Sequence, residues 1–276
     1  MSKRNAGWTS ILGSKRVKNW FINPKEFIIQ IQKDDFLKAN CAPVKMIPTY
    51  SESELPKDLI ENNIELLRNQ PGGCLLIKSK QAKLPTLYPQ IKDPLDRYIG
   101  QPFQPIPKLS VLTNLRSSLI NEETGIHLAW SMGIIHNFLM EYFSSYDIFS
   151  LGGRIKTRVH GNFRIMGRSY SVNANVEVDG YFESNDRIVV LEAKQSNSKK
   201  KRKNFSIHQL VLPLLLVRSQ TNKLCNGLFL DWFIKRGTTS SAIHFKLYLY
   251  EINGDDNYID PFGYSLTKSK SYIISI

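Results

Sequence analysis

Apolar residues recur along this chain with two different periods. Alternation of period two over residues 154–160, 163–172, 176–182 and 188–194 predicts four strands, and apolar segments at 228–234 and 245–252 predict two more. Helical spacing occurs among them. A stripe through Ile126, Ala129, Trp130, Gly133, Ile134 and Phe138 predicts a helix that starts at an Asn121 cap, carries Glu122 and Glu123 in its first turn and runs to about residue 146. Residues 205–218 predict another helix. In the first half, Leu59, Ile60, Ile64, Leu66 and Leu67 predict a helix over 57–68, which Pro71-Gly72-Gly73 ends before a short strand at 74–77. Prolines 85, 89, 94, 102, 105 and 107 withhold backbone donors and predict an irregular connection. The boundary falls near residue 110, separating an N-terminal α+β region (1–110) from a core (111–276). The element order predicts an α/β fold with a central mixed β-sheet flanked by helices.

Residues 176–194 carry the most chemistry. Two strand-forming runs meet at Ser184-Asn185-Asp186-Arg187, and a two-residue turn at Asn185 and Asp186 sets a register in which Asp179 lies opposite Glu192. Alternation then puts Glu192 and Lys194 on one face and Val189, Leu191 and Ala193 on the other. Carboxylates on directly opposed strand residues sit roughly 5 Å apart at Cβ, where they repel each other and favour a divalent cation between them. Oxygen donors suit a hard ion such as Mg2+, to which the Ala193 carbonyl can add a ligand. The Lys194 ammonium is then placed to orient or deprotonate a water, and the ion to lower that water's pKa and neutralise a phosphodiester. A Glu-x-Lys pair alone on a strand is usually a surface ion pair. The register match with Asp179, and apolar residues on both faces of 188–193, point instead to a buried strand where charges need a purpose.

Charge strengthens the picture. The formal net charge is +13 and the pI about 9.6, which favours polyanionic partners, nucleic acid or an anionic membrane face. Residues 1–25 hold six basic and no acidic residues, as a solvated tail or a phosphate-binding arm would. Cys41, Cys74 and Cys225 are far apart, with neither metal spacing nor a disulfide framework, and suit a reducing cytosol. The longest apolar run, 211–217, is too short to span a bilayer, and no apolar region follows the basic start. A soluble, unsecreted protein is expected.

With Val178-Asp179 in place of the PD half and Glu192-Ala193-Lys194 as the (D/E)xK half, the chain resembles the PD-(D/E)xK nuclease superfamily, without the usual proline. Leu191 to Gln195 followed by Phe205-Ser-Ile-His-Gln209-Leu-Val-Leu-Pro213 is similar to a group of type II restriction endonucleases with an EAK strand and a following glutamine-bearing helix. The resemblance covers residues 120–252. It implies a restriction-endonuclease-like core, Asp179 and Glu192 as metal ligands, Lys194 as the catalytic lysine and Gln209 near the site. Glu123 resembles the acid that such enzymes draw from the first core helix, although a first-turn acid favoured by the helix dipole reads equally well. Gln209 alternatively satisfies a neighbouring strand's backbone. The implied activity is Mg2+-dependent cleavage of double-stranded DNA at a short site, by a homodimer, in a bacterial or archaeal cytoplasm beside a cognate DNA methyltransferase. A repair or mobile-element nuclease of the same superfamily, or a non-catalytic DNA-binding module, are the competing readings.

The run Lys199, Lys200, Lys201, Arg202, Lys203 is either a solvated loop or, beside a phosphodiester site, a set of phosphate contacts, and the second is expected. His208 lacks a nucleophile at recognisable spacing and reads as a core or surface histidine rather than a general base. Asp260-Pro-Phe-Gly-Tyr264 has a methyltransferase-like look but no glycine-rich cofactor loop before it.

Overall fold

The computed structural model describes residues 3–42, 47, 51–106, 121–143, 148–150, 154–196, 202–236 and 241–275. The N-terminal part contains helices α1 (Lys3–Gly13), α2 (Lys15–Ile22), α3 (Lys33–Lys38) and α4 (Lys57–Glu61). Its antiparallel sheet joins β1 (Ile28–Ile31), β2 (Glu65–Gln70) and β3 (Gly73–Ile77) in the order β1-β3-β2. Two expectations change here. Over its described residues, 3–25, the basic N-terminal segment is not a tail: Trp8, Ile11, Val17 and Trp20 are buried, and Arg16 bonds the Asp35 carboxylate at 2.7 Å. The helix expected over 57–68 stops at Glu61, because Asn63 turns left-handed with φ of +53° and the next residues find ladder partners in β3.

The large sheet is mixed. Its strands are β4 (Arg97–Gly100), β5 (Phe149–Ser150), β6 (Ile155–Ile165), β7 (Arg168–Val178), β8 (Gly180–Glu183), β9 (Arg187–Gln195), β10 (Leu224–Arg236), β11 (Ser241–Gly254) and β12 (Tyr258–Ser275). They run β5-β8-β9-β10-β11-β12-β6-β7, with β4 against β12. β9 and β10 are parallel, linked across one face by α7 (His208–Arg218). The opposite face is covered by α5 (Glu122–Ser131) and α6 (Ile134–Phe143), through Ala129, Ile135 and Phe138 against Leu191, Leu228 and Leu230. On the α7 face, Leu210 and Leu214 pack with Val190 and Phe229 in a buried cluster that extends to Trp8 and Leu75 of the N-terminal part.

One helix expected from 121 to about 146 is therefore two. Gly133 adopts φ of +73°, and the Met132 carbonyl before it accepts N–H bonds from Phe103 at 3.0 Å and Gln104 at 3.3 Å, fixing the break. The turn between β6 and β7 sits at Met166-Gly167, where φ values of +52° and +75° match the twist of a two-residue hairpin. β12 was not anticipated, and it contains the Asp260–Tyr264 stretch. Its central residues are polar because they meet polar partners: Lys268 and Lys270 both bond Glu141 of α6. Among the described residues no helix is long and apolar enough to cross a membrane.

Candidate active site

The β8–β9 hairpin has the register read from its turn. Ser184 N–H donates to Arg187 O at 2.9 Å, and the pairs run from Glu183↔Ile188 to Gly180↔Leu191. The ladder stops one pair short of Asp179 and Glu192. At Asp179 the chain leaves β7, which pairs with β6, and enters β8, which pairs with β9, so it bends there. The half-buried Asp179 instead accepts the Ala193 N–H on Oδ2 at 3.0 Å, closing the ladder end with its side chain. Because the N–H and C=O of one strand residue face the same neighbour, the Ala193 carbonyl looks toward this edge as well.

Faces divide as alternation requires. Val189, Leu191 and Ala193 pack under α5 and α6, while Ile188 and Val190 pack under α7. Glu192 and Lys194 share the α7 side of β9 and are only 4% and 8% exposed. Burying two ionisable groups costs several kcal/mol each unless they find partners, and here they do. Glu192 Oε1 meets Lys194 Nζ at 2.6 Å and accepts from Gln209 Nε2 at 2.5 Å. Lys194 Nζ also lies 3.1 Å from Glu122 Oε1, at the start of α5. Burial pushes the Glu192 carboxyl up to about 8; Asp179 and Glu122 add to the rise, and Lys194 opposes it. Burial alone would lower the Lys194 ammonium, but Glu192, Glu122 and Asp179 outweigh it and hold it above its ordinary value.

The helix acid at this cluster is Glu122. Glu123 has a side chain 62% exposed, lies 3.7 Å from His127 and borders a hollow beside the cluster with Glu122, Arg154 and Asp179. The periodicity of the helix marks the difference: Glu122 lies one turn before Gly125 and Ile126 and two turns before Ala129, on the stripe that faces the sheet. Gln209 reaches Glu192 from the first turn of α7. Of the basic run, Lys199, Lys200 and Lys201 lie outside the described residues. Arg202 stands 4.0 Å from the buried Asp231, whereas Lys203 is exposed and its backbone carbonyl accepts the Ile91 N–H.

These groups open onto a cleft of about 790 Å³. Its wall includes Asp179, Glu192, Lys194, Glu122 and Gln209, with the cations Arg68, Arg154, Lys156 and Arg202 around them. Sequence reasoning missed Arg68, on β2, and Arg154 and Lys156, at the start of β6; each is an unremarkable basic residue until the sheets are assembled. His208 also faces the cleft, bonded through Nε2 to Arg68 O at 2.9 Å, and burial lowers its pKa to about 4.

Among the described residues no three His, Cys, Asp or Glu side chains are grouped so as to hold a metal ion. Two carboxylates and a strand carbonyl at one edge suit a hard cation that keeps much of its water, as Mg2+ does. The raised Glu192 carboxyl is the second fitting feature, since a buried acid facing two further carboxylates gains by accepting a cation.

The same shift sets a pH dependence. A carboxyl at about 8 when folded and 4.5 as its ordinary value keeps its proton in the native state while the unfolded chain releases it. Native stability in EDTA should thus fall as pH rises from about 4.5 to 8 and level off above. Thermal melts across that range should show a shallower fall for Glu192→Gln; parallel wild-type and variant curves would count against the buried, protonated carboxyl.

The family described as "Domain of unknown function (DUF6997)" matches residues 98–273, which include α5, the β8–β9 hairpin and α7. No curated protein and no solved structure matches the chain.

Proposed function

We propose that this chain, which belongs to the family described as Domain of unknown function (DUF6997), is a Mg2+-dependent endonuclease that hydrolyses phosphodiester bonds of double-stranded DNA at a short specific sequence. The observation that carries the reading is the buried Glu192–Lys194 pair, with Asp179 at the adjoining ladder end, opening onto a cleft rimmed by arginine and lysine. Acids at a phosphate-binding surface weaken binding, so a module that only bound DNA would gain nothing from them. A strand bearing Glu192, Ala193 and Lys194, followed by a helix bearing Gln209, supports a PD-(D/E)xK, restriction-endonuclease-like core.

Asp179, Glu192 and the Ala193 carbonyl would hold the ion, which supplies charge neutralisation at the phosphate and a more acidic water. The protein's own residues do the positioning. Gln209 and Lys194 fix the Glu192 carboxylate from two sides, and Glu122 keeps the Lys194 ammonium from swinging into solvent. Lys194 is placed to orient the attacking water and, once Glu192 is ionised, to stay charged beside the phosphate. Arg202 and the neighbouring lysines contact the DNA backbone. Cutting both strands at one site calls for two such centres, hence a homodimer, and a cell carrying the enzyme would protect its own DNA with a cognate methyltransferase.

Digestion of a large unmethylated phage DNA by the purified protein, with Mg2+ and with EDTA, tests this. Discrete Mg2+-dependent fragments are expected. A Mg2+-dependent smear would replace sequence recognition by the structure recognition of a repair or mobile-element nuclease, and DNA that is bound but intact in both lanes would favour the binding module.

A further inference from the structure

Beside the acids lies an ion-pair arrangement that the nuclease chemistry does not use. On the long β6–β7 hairpin, Lys156 pairs in register with Glu177, and Ile155 with Val178. Arg154 precedes the last pair and Asp179 follows it, and both line the cleft and an adjoining hollow with Glu122. The two oxygens of Glu177 are divided between the cations: Arg154 Nε pairs with Oε1, and Lys156 Nζ lies 3.8 Å from Oε2. A carboxylate presenting two oxygens to a guanidinium and an ammonium makes the contacts that a phosphodiester's two free oxygens would make. Glu177 is the most enclosed of the three, its side chain 36% exposed against 55% for Arg154 and 71% for Lys156, so the cations can be reached from the cleft.

We propose that Arg154 and Lys156 form a phosphate-binding site, held by the Glu177 carboxylate in the free protein and taken over by a backbone phosphate of the bound strand when it displaces that carboxylate. The proposal rests on the nuclease reading for the identity of the strand, but the exchange itself needs only a phosphate ligand. An exposed ion pair contributes about 0–1 kcal/mol, so an incoming phosphate can break it. Without Glu177 the same cations would draw nucleic acid of any sequence. The carboxylate therefore makes the site respond to a phosphate that fits and lowers its response to stray polyanions.

Binding is measured in EDTA with two probes, a short labelled DNA duplex by anisotropy and inorganic tripolyphosphate by calorimetry. Glu177→Gln should tighten both about three- to tenfold. Glu54→Gln, which removes another carboxylate lining the same cleft, should change them much less. In the Glu177→Gln background, Arg154→Ala with Lys156→Ala should abolish the gain and reduce the log–log salt slope for duplex by about 2. Equal gains from Glu54→Gln and Glu177→Gln, or a gain that survives loss of both cations, overturn the exchange. If wild type cuts DNA and Glu177→Gln binds neither probe more tightly, this proposal falls and the nuclease reading stands. Tighter tripolyphosphate binding by Glu177→Gln in a protein that neither binds nor cuts DNA keeps the exchange and removes the nuclease.

Discussion

Asp179→Asn should lower the rate of DNA cleavage by about 10³-fold while leaving duplex affinity unchanged or slightly improved. The size follows from weakening the hold on the cation: losing one group that stabilises negative charge in the transition state costs typically 10²- to 10³-fold, and Asp179 acts on that charge only through the ion it would ligate. Asparagine is the informative replacement. Asp179 accepts the Ala193 N–H at the end of the β8–β9 ladder, and an amide oxygen can still accept that bond. Alanine would leave the N–H without its side-chain acceptor, at a cost of about 1–3 kcal/mol if it stays buried, and would mix folding with catalysis. Asparagine removes the charge and keeps the contact, so its melting temperature should match wild type. Because a negative group beside a phosphate opposes binding, the variant should hold duplex at least as well in EDTA. Wild-type cleavage by a folded Asp179→Asn protein would remove Asp179 from the metal site and with it the proposed mechanism.

Gly125→Ala is expected to destabilise the protein by about 1–3 kcal/mol, the usual cost of forcing a methyl into a filled core. At roughly 2–4 °C per kcal/mol for large domains, the melting temperature would drop by about 2–12 °C. In an exposed helix the same change would stabilise by up to about 1 kcal/mol, so the expected sign is opposite to helix propensity. The reason is local. A Cβ built on Gly125 would sit 2.1 Å from Trp232 Nε1 and 2.2 Å from its Cε2, and Trp232 is fully buried, stacked near Phe245. Either the indole or α5 has to move. Since Glu122, one turn earlier on α5, reaches Lys194, movement of the helix would also slow cleavage without much change in DNA affinity. Trp232→Phe in the same chain, which removes the clashing indole nitrogen ring, should recover part of both losses. Differential scanning fluorimetry and single-turnover cleavage on the single and double variants check this, and an unchanged or higher melting temperature for Gly125→Ala would refute the packing argument.

What the residues determined on their own was local. Ser184 to Arg187 dictated a two-residue turn, a turn dictates register, and register with period-two alternation sorted Glu192 and Lys194 from Val189, Leu191 and Ala193. The Asn121 cap and the core of α7 were legible for the same reason, since each depends on groups within a few residues of one another. Where a contact came from far along the chain, the pattern was silent or misleading. The break at Gly133 is held by residues 103 and 104, the end of α4 by a partner strand, and the polar stretch of β12 by Glu141 of α6. Glu122 and Glu123 are neighbours with the same chemistry, and only the packing of α5 against Trp232 decided which one meets Lys194. The arginines and lysines of the cleft come from β2, β6 and the loop before α7, segments that sequence separation hides and that the closing of the two sheets brings to one wall. Local backbone preferences act between near neighbours and can be read in a line of letters. Burial and long-range electrostatics act between groups that only the folded chain makes neighbours, and those forces assembled the cleft around Asp179, Glu192 and Lys194.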